Sequence, residues 1–543
     1  MNGATLVVQS LKAHGVDCIF GLVDTTILDI IDAIHAEPSI RYVPVRHEQV
    51  ASMMADGHAR GTGRPGVCIS QCGPGAMNLL YGIASSFKDS VPIVAITGNI
   101  DSSLLARDTW HDIDIVEIYR PVTKWSTLVS DAGEIPAVLE QAFRIAMAGR
   151  PGPVHVNIPK DVQSKAVSGA KQVKAAEPYP RPAPAQADVG KTIALLAAAE
   201  RPLIFAGGGV VRAKAAAALR AFSEQSGVPV IVTDTARGAI PERHPNALGP
   251  SGLFGSRAAS EALKEADVIL GIGTRFPDVS TGNWSFIGPA AKVIQNNIDA
   301  EEIGRRLKVA LGVPGDAGKF LDALGSAWRA QPAAVLQRHA ARNAAIKAAV
   351  EAENEIFLTP PLVEHAGGQQ RMPIHLVVRE IEKVLKGDEF LAADGGLHTS
   401  YSGKLHIQSP DGWLVSAGLG SMGYGLPAAM GAKLAQPHRK AIALVGDGGF
   451  AMVSQDLETA VRCNIPVVVV IYNNAALGAQ RLRQQRDYGG RILGTVHGNP
   501  DYGELAKLHG AEGRTIRTIG EFRPAFEQLL ASDRVGVLDV LIA

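Results

Sequence analysis

The chain has 543 residues, more than one hydrophobic core supports, and this length predicts several domains. Hydrophobic residues make up 46% of the chain and charged residues 20%, a balance typical of a globular protein rather than a disordered one. The 53 basic and 53 acidic side chains cancel, so the net charge provides no broad positive field for nucleic acid or an anionic membrane surface. We therefore expect no nucleic-acid partner and no membrane partner.

The number of cysteines and the length of the apolar runs indicate the cellular compartment. The chain has four cysteines, too few to predict a disulfide framework, and Cys68 with Cys72 lacks a second pair at metal-site spacing. The opening residues, MNGATLVVQSLKAHG, contain no long apolar segment, and no later run approaches the roughly 18 apolar residues of a membrane span. These features favour a cytoplasmic protein.

Two stretches have the composition of linkers, residues 165–190 and 331–371, and they divide the chain into three blocks. In each block, short apolar runs such as VPIVAITG, ADVILGIG and IPVVVVIYNN alternate with helical patterns, as βαβ units do. The sequence therefore predicts an α/β protein with three doubly wound parallel-sheet domains, at residues 1–165, 186–330 and 366–543. Ligands of such sheets bind beyond the carboxyl ends of the strands, so the segments after the apolar runs hold the candidate residues.

Candidate phosphate and metal ligands follow two apolar runs of the third block. Gly446, Asp447, Gly448 and Gly449 follow KAIALV, and Asn474 follows IPVVVVIYN. Carboxylate and amide oxygens suit Mg²⁺, and glycines let backbone amides approach a diphosphate. A tight turn and an ordinary strand end would explain the same residues. The GDG sequence followed by NN, with 27 positions from Asp447 to Asn474, resembles the binding motif of thiamine-diphosphate (ThDP) enzymes.

Such enzymes activate the cofactor with a carboxylate from another domain, and the first block offers one. Glu48, in VRHEQVASMMADGHARG, is similar to the family's activating glutamate. The resemblance implies that Glu48 hydrogen-bonds N1′ of the aminopyrimidine and favours the tautomer that takes the proton from C2 of the thiazolium ring. Without this resemblance, a solvated helix glutamate would be the simpler interpretation.

A segment of the third block, AGLGSMGYGLPAAMGA, resembles the family segment that passes between the two cofactor rings. The resemblance implies that Met422 props the bent cofactor and that the Gly420 carbonyl holds the 4′-amino group, with Ser421 between them. A methionine here would otherwise be ordinary core.

The loop AADGGLHTS resembles the diphosphate-side loop of the family less closely. The cofactor-binding candidates in it are Gly396, Leu397 and His398. The alternative for His398 is a satisfied loop histidine.

The resemblance covers nearly the whole chain and is closest to the acetolactate synthase group, which also includes benzoylformate decarboxylase and benzaldehyde lyase. Segments such as GPGAMNLLYGIASSFKDSVPIVAITG and ADVILGIGTRF carry it. It implies a ThDP- and Mg²⁺-dependent carboligase or lyase that decarboxylates a 2-oxo acid to an enamine, which then adds to a second carbonyl. The alternative is a non-oxidative 2-oxo acid decarboxylase, or an acyloin (2-hydroxyacyl) lyase of the benzoylformate decarboxylase and benzaldehyde lyase type. A nicotinamide dehydrogenase built on the glycine turns is a third hypothesis.

The resemblance also implies a ligand set and an assembly. Asp447, Asn474 and the Ala476 carbonyl would hold Mg²⁺, and each active site would lie between two subunits, so a homodimer is the minimum unit and a homotetramer is common. In some relatives the central domain holds FAD without redox use. The segment AGGGVVRA lacks the acidic partner of a dinucleotide fingerprint, which favours a structural glycine turn and leaves FAD open.

The first block departs from the family pattern on the substrate side. The loop GLVDTT replaces a loop of the Pro-Gly-Gly-Ala type, which puts pyruvate in doubt as the substrate. Thr25 stands where benzoylformate decarboxylase has a serine, so its hydroxyl is a candidate contact for a carboxylate or carbonyl, while Asp24 could equally cap the next helix. His111 replaces an amide and is a candidate proton carrier; the alternative is a partly exposed loop histidine.

Gln480 and Arg483 are further substrate candidates, in the segment AALGAQRLRQQRDYGGR. Arg483 replaces the tryptophan with which acetolactate synthases choose an acceptor, and a cationic lid suits an anionic substrate. A solvated charged face explains the same run of arginines. The donor and the acceptor stay undefined at this point.

Overall fold

The computed structural model describes residues 1–168, 173–331, 339–358 and 372–543. It contains three six-stranded sheets in which every strand pair is parallel, with helices on both faces. This confirms the predicted α/β class and the three doubly wound domains. Parts of both predicted linkers, and residues 366–371 of the third predicted domain, lie outside the described residues.

The first domain has strand order β2-β1-β3-β4-β6-β5. Strand β4 is buried along all seven residues, as a central strand covered by helices requires. Its strands are β1 (Cys18–Gly21), β2 (Arg41–Pro44), β3 (Gly66–Ser70), β4 (Ile93–Asn99), β5 (Ser126–Leu128) and β6 (Val154–Pro159). Its helices are α1 (Gly3–Ala13), α2 (Leu28–His35), α3 (Glu48–Thr62), α4 (Pro74–Asp89), α5 (Ile115–Tyr119), α6 (Ile135–Met147) and α7 (Lys160–Ser164).

The central domain has strand order β12-β11-β10-β7-β8-β9, so the order reverses between β7 and β10. Its strands are β7 (Pro202–Ala206), β8 (Val230–Val232), β9 (Ala247–Pro250), β10 (Val268–Ile272), β11 (Lys292–Asn297) and β12 (Leu311–Pro314). Its helices are α8 (Gln186–Ala198), α9 (Gly208–Arg212), α10 (Ala216–Ser226), α11 (Arg257–Glu265), α12 (Asp278–Thr281) and α13 (Ala317–Trp328). Helix α14 (Ala340–Leu358) lies within the second predicted linker.

The third domain repeats the strand order of the first, as β14-β13-β15-β16-β18-β17. Its strands are β13 (Phe390–Ala393), β14 (Trp413–Val415), β15 (Ala441–Gly446), β16 (Val468–Asn473), β17 (Glu512–Ile516) and β18 (Gly536–Leu541). Its helices are α15 (Ile374–Val384), α16 (Leu397–Ser402), α17 (Gly425–Ala435), α18 (Asp447–Ala451), α19 (Leu457–Arg462), α20 (Gly478–Asp487), α21 (Tyr502–Leu508) and α22 (Ile519–Ala531).

The first and third domains share one hydrophobic core, centred on helices α3 and α17. The two helices approach backbone to backbone: a β-carbon on Gly57 would lie 2.1 Å from the Ala428 carbonyl oxygen, and one on Gly431 would lie 2.0 Å from that of Met54. Glycine is therefore required at both positions, and the contact holds the loops of the two domains in a fixed relation.

None of the described helices combines the length and apolar character needed to cross a bilayer.

Candidate active site

The GDG and NN motifs meet at the carboxyl edge of the third sheet, because β15 and β16 are neighbouring strands. Asp447 begins helix α18, and its side chain is buried. The Asn499 amide donates to Asp447 Oδ2 at 2.7 Å and to Asn473 Oδ1 at 2.9 Å, which fixes the carboxylate. The Asn474 Oδ1 atom accepts from the Ala476 backbone N–H at 3.1 Å, across a turn in which Ala475 has a φ of 53°.

These groups suit a hard cation. Asp447, Asn474 and Ala476 offer a carboxylate, an amide oxygen and a backbone carbonyl, the oxygen ligands that Mg²⁺ prefers. The described residues contain no cluster of three or more histidine, cysteine or acidic side chains arranged for a metal. A metal site here therefore depends on the amide and the carbonyl as well as on the carboxylate.

The surroundings of His398 fit a phosphate group. A β-carbon on Gly446 would lie 3.0 Å from His398 Nδ1, and one on Gly396 would lie 2.6 Å from His398 Cε1, so both glycines make room for the ring. His398 Nε2 is buried without a hydrogen-bond partner, and burial lowers the pKa of His398 to about 4. The neutral ring can donate one N–H, which suits a phosphate oxygen. Leu397, the next candidate, begins helix α16.

Asp394, which sequence reasoning missed, holds the segment that carries Gly420, Ser421 and Met422. Its carboxylate accepts from the backbone N–H groups of Gly423 and Gly425. Burial raises the pKa of Asp394 to about 6, against the lowering effect of these N–H groups. The aspartate directly precedes the AADGGLHTS glycines, but only the sheet order shows that it faces this segment.

The two loops also touch directly. The Gly395 N–H donates to the Ser421 carbonyl at 3.0 Å, and a β-carbon on Gly395 would lie 2.1 Å from the Gly420 carbonyl oxygen. Gly420 itself has a φ of 67°, a conformation that favours glycine. The methyl carbon of Met422 lies 3.4 Å from where a β-carbon on Gly448 would be, so the methionine borders the GDG loop.

Glu48 begins helix α3 and is buried. Asn78 Nδ2 donates to Glu48 Oε2 at 3.0 Å, and Tyr81, one turn further along helix α4, donates from Oη to the Met422 carbonyl at 3.3 Å. A β-carbon on Gly75 would lie 2.8 Å from Glu48 Oε1. Helix α4 therefore links the candidate glutamate to the segment around Met422. Asn78 and Tyr81 belong to no recognisable motif, so neither could be identified from the sequence alone.

The loop after β1 forms a polar cluster. Asp24 Oδ1 accepts from the Thr26 N–H at 3.0 Å and from the Thr25 hydroxyl at 3.3 Å. With its amide turned to satisfy both groups, Gln71 donates to Asp24 Oδ1 and Oδ2 at 3.0 and 2.9 Å. Residue Ile27 is the N-cap of α2 and has no side-chain cap. The alternative role of Asp24 as helix cap is therefore wrong: its carboxylate closes the loop and anchors Gln71.

His111 lies against the first turn of helix α4. Its backbone is in the left-handed region, with a φ of 68°, and its ring carbon Cγ lies 3.5 Å from where a β-carbon on Gly73 would be. His111 Nδ1 is 3.8 Å from the sulfur of Cys72. The ring is half-exposed, so both the proton-carrier and the loop-histidine interpretations remain compatible with its position.

Gln480 and Arg483 lie on the exposed helix α20, which follows the NN motif. Gln484 fastens the following loop, since its amide donates to the Leu493 carbonyl at 2.9 Å and its oxygen accepts from the Thr495 hydroxyl at 2.9 Å. The Leu477 N–H donates to the Thr495 carbonyl at 2.8 Å. The helix and its loop thus form one flap beside the Asp447 site.

Three family models match the chain: the N-terminal TPP binding domain of thiamine pyrophosphate enzymes at residues 1–118, their central domain at 189–324 and their C-terminal TPP binding domain at 394–540. The chain therefore belongs to the thiamine pyrophosphate enzyme family. Within that family it is acetolactate synthase-like, as its relatives show.

The similarity to these relatives extends along the chain. The acetolactate synthase large subunit of Corynebacterium glutamicum is 36% identical over 100% of this chain and 87% of its own length. That of Haemophilus influenzae is 35% identical over 97% of this chain and 92% of its own length. The acetolactate synthase of Mycobacterium bovis is 37% identical over 94% of this chain and 83% of its own length.

Proposed function

We propose that the chain is a ThDP- and Mg²⁺-dependent carboligase that decarboxylates a 2-oxo acid and joins the remaining fragment to a second carbonyl compound. The whole-length similarity to acetolactate synthases is the observation that carries this proposal. When bound, ThDP would supply a nucleophilic carbon for the donor carbonyl and an electron sink for the loss of CO₂. The chain supplies the groups that bind the cofactor and move protons.

Glu48 exchanges a proton with the aminopyrimidine, and its burial beside Asn78 supports a fixed carboxylate for that task. Gly420 and Met422 hold the two rings. Gly396, Leu397 and His398, together with the Gly446, Gly448 and Gly449 backbone, receive the diphosphate. The unpartnered Nε2 of His398 supports this assignment.

Asp447, Asn474 and the Ala476 carbonyl hold Mg²⁺ against the diphosphate. Asn499 supports this ligand set without being a ligand itself, because its amide N–H donates to Asp447 and orients the carboxylate. Such supporting contacts commonly govern metal affinity.

Thr25 and His111 contact the substrate from the first domain, and Gln480 and Arg483 approach it from helix α20. The loop GLVDTT replaces a glycine-rich loop, and its Asp24 carboxylate is paired with Gln71, which supports a substrate other than pyruvate. The exposed cationic helix supports an anionic substrate.

A simple decarboxylase or acyloin lyase is the second candidate function. The hydroxyl of Thr25 and the imidazole of His111 favour it, since both differ from the acetolactate synthase pattern among the candidate substrate contacts. Every cofactor residue would be shared with the carboligase, so product analysis distinguishes the two.

We propose a homodimer as the minimum active unit and a homotetramer as the assembly. Apolar side chains are exposed around both halves of the candidate site, as a subunit interface requires; Trp110 is 82% and Leu493 84% exposed, and others are Val23, Met77, Tyr81, Leu419 and Leu482. Mass photometry across dilution tests the assembly. The four cysteines are free thiols, which supports the cytoplasm as its compartment.

We propose that the central domain binds a nucleotide, and FAD is the candidate. A cleft lies at the reversal of strand order, where dinucleotides bind in such sheets, and Arg150, Arg181, Arg212 and Arg275 line it. Burial lowers the pKa of Arg150 and of Arg212 to about 10, and neighbouring arginines add to the lowering, so an anionic diphosphate would relieve the repulsion. The absorbance spectrum of the purified protein and acid-released nucleotides test this.

The deciding experiment for function uses cofactor-stripped protein with pyruvate and then larger 2-oxo acids, with and without ThDP plus Mg²⁺. Released CO₂ and NMR of the products are measured. A joined product that needs both cofactors supports the carboligase, and an aldehyde alone supports the decarboxylase. Turnover without ThDP would overturn both.

The Glu48→Gln variant tests the glutamate. It should bind ThDP and lose turnover, while the exposed-glutamate control Glu527→Gln keeps wild-type activity. Full activity of Glu48→Gln would contradict the proposed mechanism.

A further inference from the structure

The first turn of helix α4 lies between Glu48 and His111. A β-carbon on Gly75 would lie 2.8 Å from Glu48 Oε1, and one on Gly73 would lie 3.4 Å from the His111 β-carbon. The two candidate residues thus flank a single turn of backbone. A group that fixes the His111 ring therefore acts beside the glutamate that we propose activates the cofactor.

Cys72 immediately precedes this turn and is buried. Its backbone N–H donates to the Thr26 hydroxyl at 3.4 Å, which ties it to the loop after β1. Its sulfur lies 3.8 Å from His111 Nδ1, within the range of a hydrogen bond to sulfur. Burial, together with the nearby Asp24 carboxylate, raises the pKa of the Cys72 thiol, so the sulfur carries its proton at neutral pH.

We propose that Cys72 is a positioning residue for His111: its S–H donates to Nδ1, which fixes the neutral ring with its remaining proton on Nε2. The other nitrogen of a histidine decides which tautomer is present, and a thiol can donate to it. The Nε2–H then serves as a hydrogen-bond donor toward the carbonyl oxygen of the substrate. This inference rests on the proposed function, because it assumes that His111 faces the substrate.

The backbone around His111 supports a held ring. Ala106, Asp108 and His111 all have positive φ angles, between 54° and 68°, which non-glycine residues rarely adopt. The Asp112 carboxylate accepts from the N–H groups of Arg107 and Asp108 at 2.8 and 3.0 Å and closes this loop. Strained loops that persist in this way cluster at functional sites.

Infrared spectroscopy tests the thiol contact without any substrate. Subtracting the spectrum of Cys72→Ser from that of the wild type isolates the S–H stretching band of Cys72 from those of the other three thiols. We expect this band at lower frequency than a free thiol, and we expect it to move up in His111→Ala. A band that does not respond to the loss of His111 would overturn the inference.

Kinetics of the holoenzyme test the consequence. Cys72→Ala should lower kcat about 10-fold with little change in KM, the order expected when one hydrogen bond that orients the ring is lost, and Cys72→Ser should restore most of that loss. Cys463→Ala, at a thiol far from the candidate site, should match the wild type. The double variant Cys72→Ala/His111→Ala should be no slower than His111→Ala, because Cys72 acts through His111.

The outcomes separate this inference from the proposed function. Additive losses in the double variant, in an enzyme that still needs ThDP, would overturn the role of Cys72 alone. An enzyme with no ThDP requirement would overturn the proposed function, while the infrared result would still decide the thiol contact.

Discussion

Replacing Asp89 by asparagine should weaken cofactor binding from outside the candidate site. The Asp89 side chain is 2% exposed, at the end of helix α4. Its carboxylate accepts from the backbone N–H groups of Ala417 and Gly418 at 2.9 and 2.8 Å. The Arg60 guanidinium also donates to it, at 3.1 Å. Asp89 therefore fixes the start of the segment that carries Gly420 and Met422.

The magnitude follows from these contacts. An asparagine keeps one acceptor oxygen, so one of the two backbone N–H groups faces an amide that donates, and a buried donor without an acceptor costs about 1–3 kcal/mol. Arg60 loses one of its two carboxylates but keeps Asp56, which accepts from its Nε at 2.6 Å. In the free variant the loop can shift so that water satisfies this donor, whereas ThDP binding requires the loop in place. We therefore expect about 1.4–2.8 kcal/mol of the cost to appear as weaker ThDP binding, a rise in Kd of about 10- to 100-fold.

The assay is calorimetric titration of the stripped protein with ThDP at saturating Mg²⁺. Asp533→Asn is the matched control, because the Asp533 side chain is 94% exposed and should leave the Kd unchanged. If Asp89→Asn keeps its secondary structure and binds ThDP like the wild type, the loop does not depend on this carboxylate and the reasoning is refuted.

Three further predictions concern the metal, the pH dependence and the helix contact. Asn499→Ala should raise the Mg²⁺ concentration needed for half-maximal activity about 10-fold, because Asp447 loses its 2.7 Å donor; an unchanged Mg²⁺ titration would contradict this. Burial lowers the pKa of His398 from 6.5 to about 4, so the unfolded chain binds more protons between these values and the stability due to this residue is lost as pH falls. Between pH 6.5 and 4.5 the free energy of unfolding should therefore fall less in His398→Phe than in the wild type, by roughly 3 kcal/mol at most. Melting temperatures that fall equally with pH in the two proteins would contradict this. Gly57→Ala should lower the melting temperature, because its β-carbon would meet a carbonyl oxygen at 2.1 Å, whereas Gly190→Ala, with open space around it in helix α8, should raise it slightly.

The fold class and the number of domains follow from the sequence, because both depend on local patterns. Buried parallel strands are short apolar runs, and β4, β15 and β16 show this along nearly their whole length. The motif of GDG and NN is equally local, since each part begins with the last residue of a strand. Because β15 and β16 are neighbours in the sheet, the two parts of the motif meet once the sheet has formed.

The supporting residues could not be predicted in this way. Asp394 contacts Gly423 across 29 positions, and Asn499 contacts Asp447 across 52. Neither carries a periodic signal, and an aspartate or asparagine in a loop is ordinary turn chemistry. Their function depends on which loops the strand order makes neighbours, and that order is a property of the whole domain.

The candidate substrate contacts in the first domain also depend on partners that are distant in the sequence. Asp24 follows β1 and Gln71 follows β3, and the two side chains pair because β1 and β3 are neighbours in the sheet. Cys72 meets His111 across 39 positions, and His111 itself lies outside any helix or strand. A cofactor signature is shared by every member of a family, whereas substrate choice lies in such pairs, and each residue of a pair has a plain structural explanation when considered alone. The departures from the family pattern at Asp24 and His111 are therefore where we propose that specificity lies, and only the tertiary structure shows that Gln71 and Cys72 are their partners.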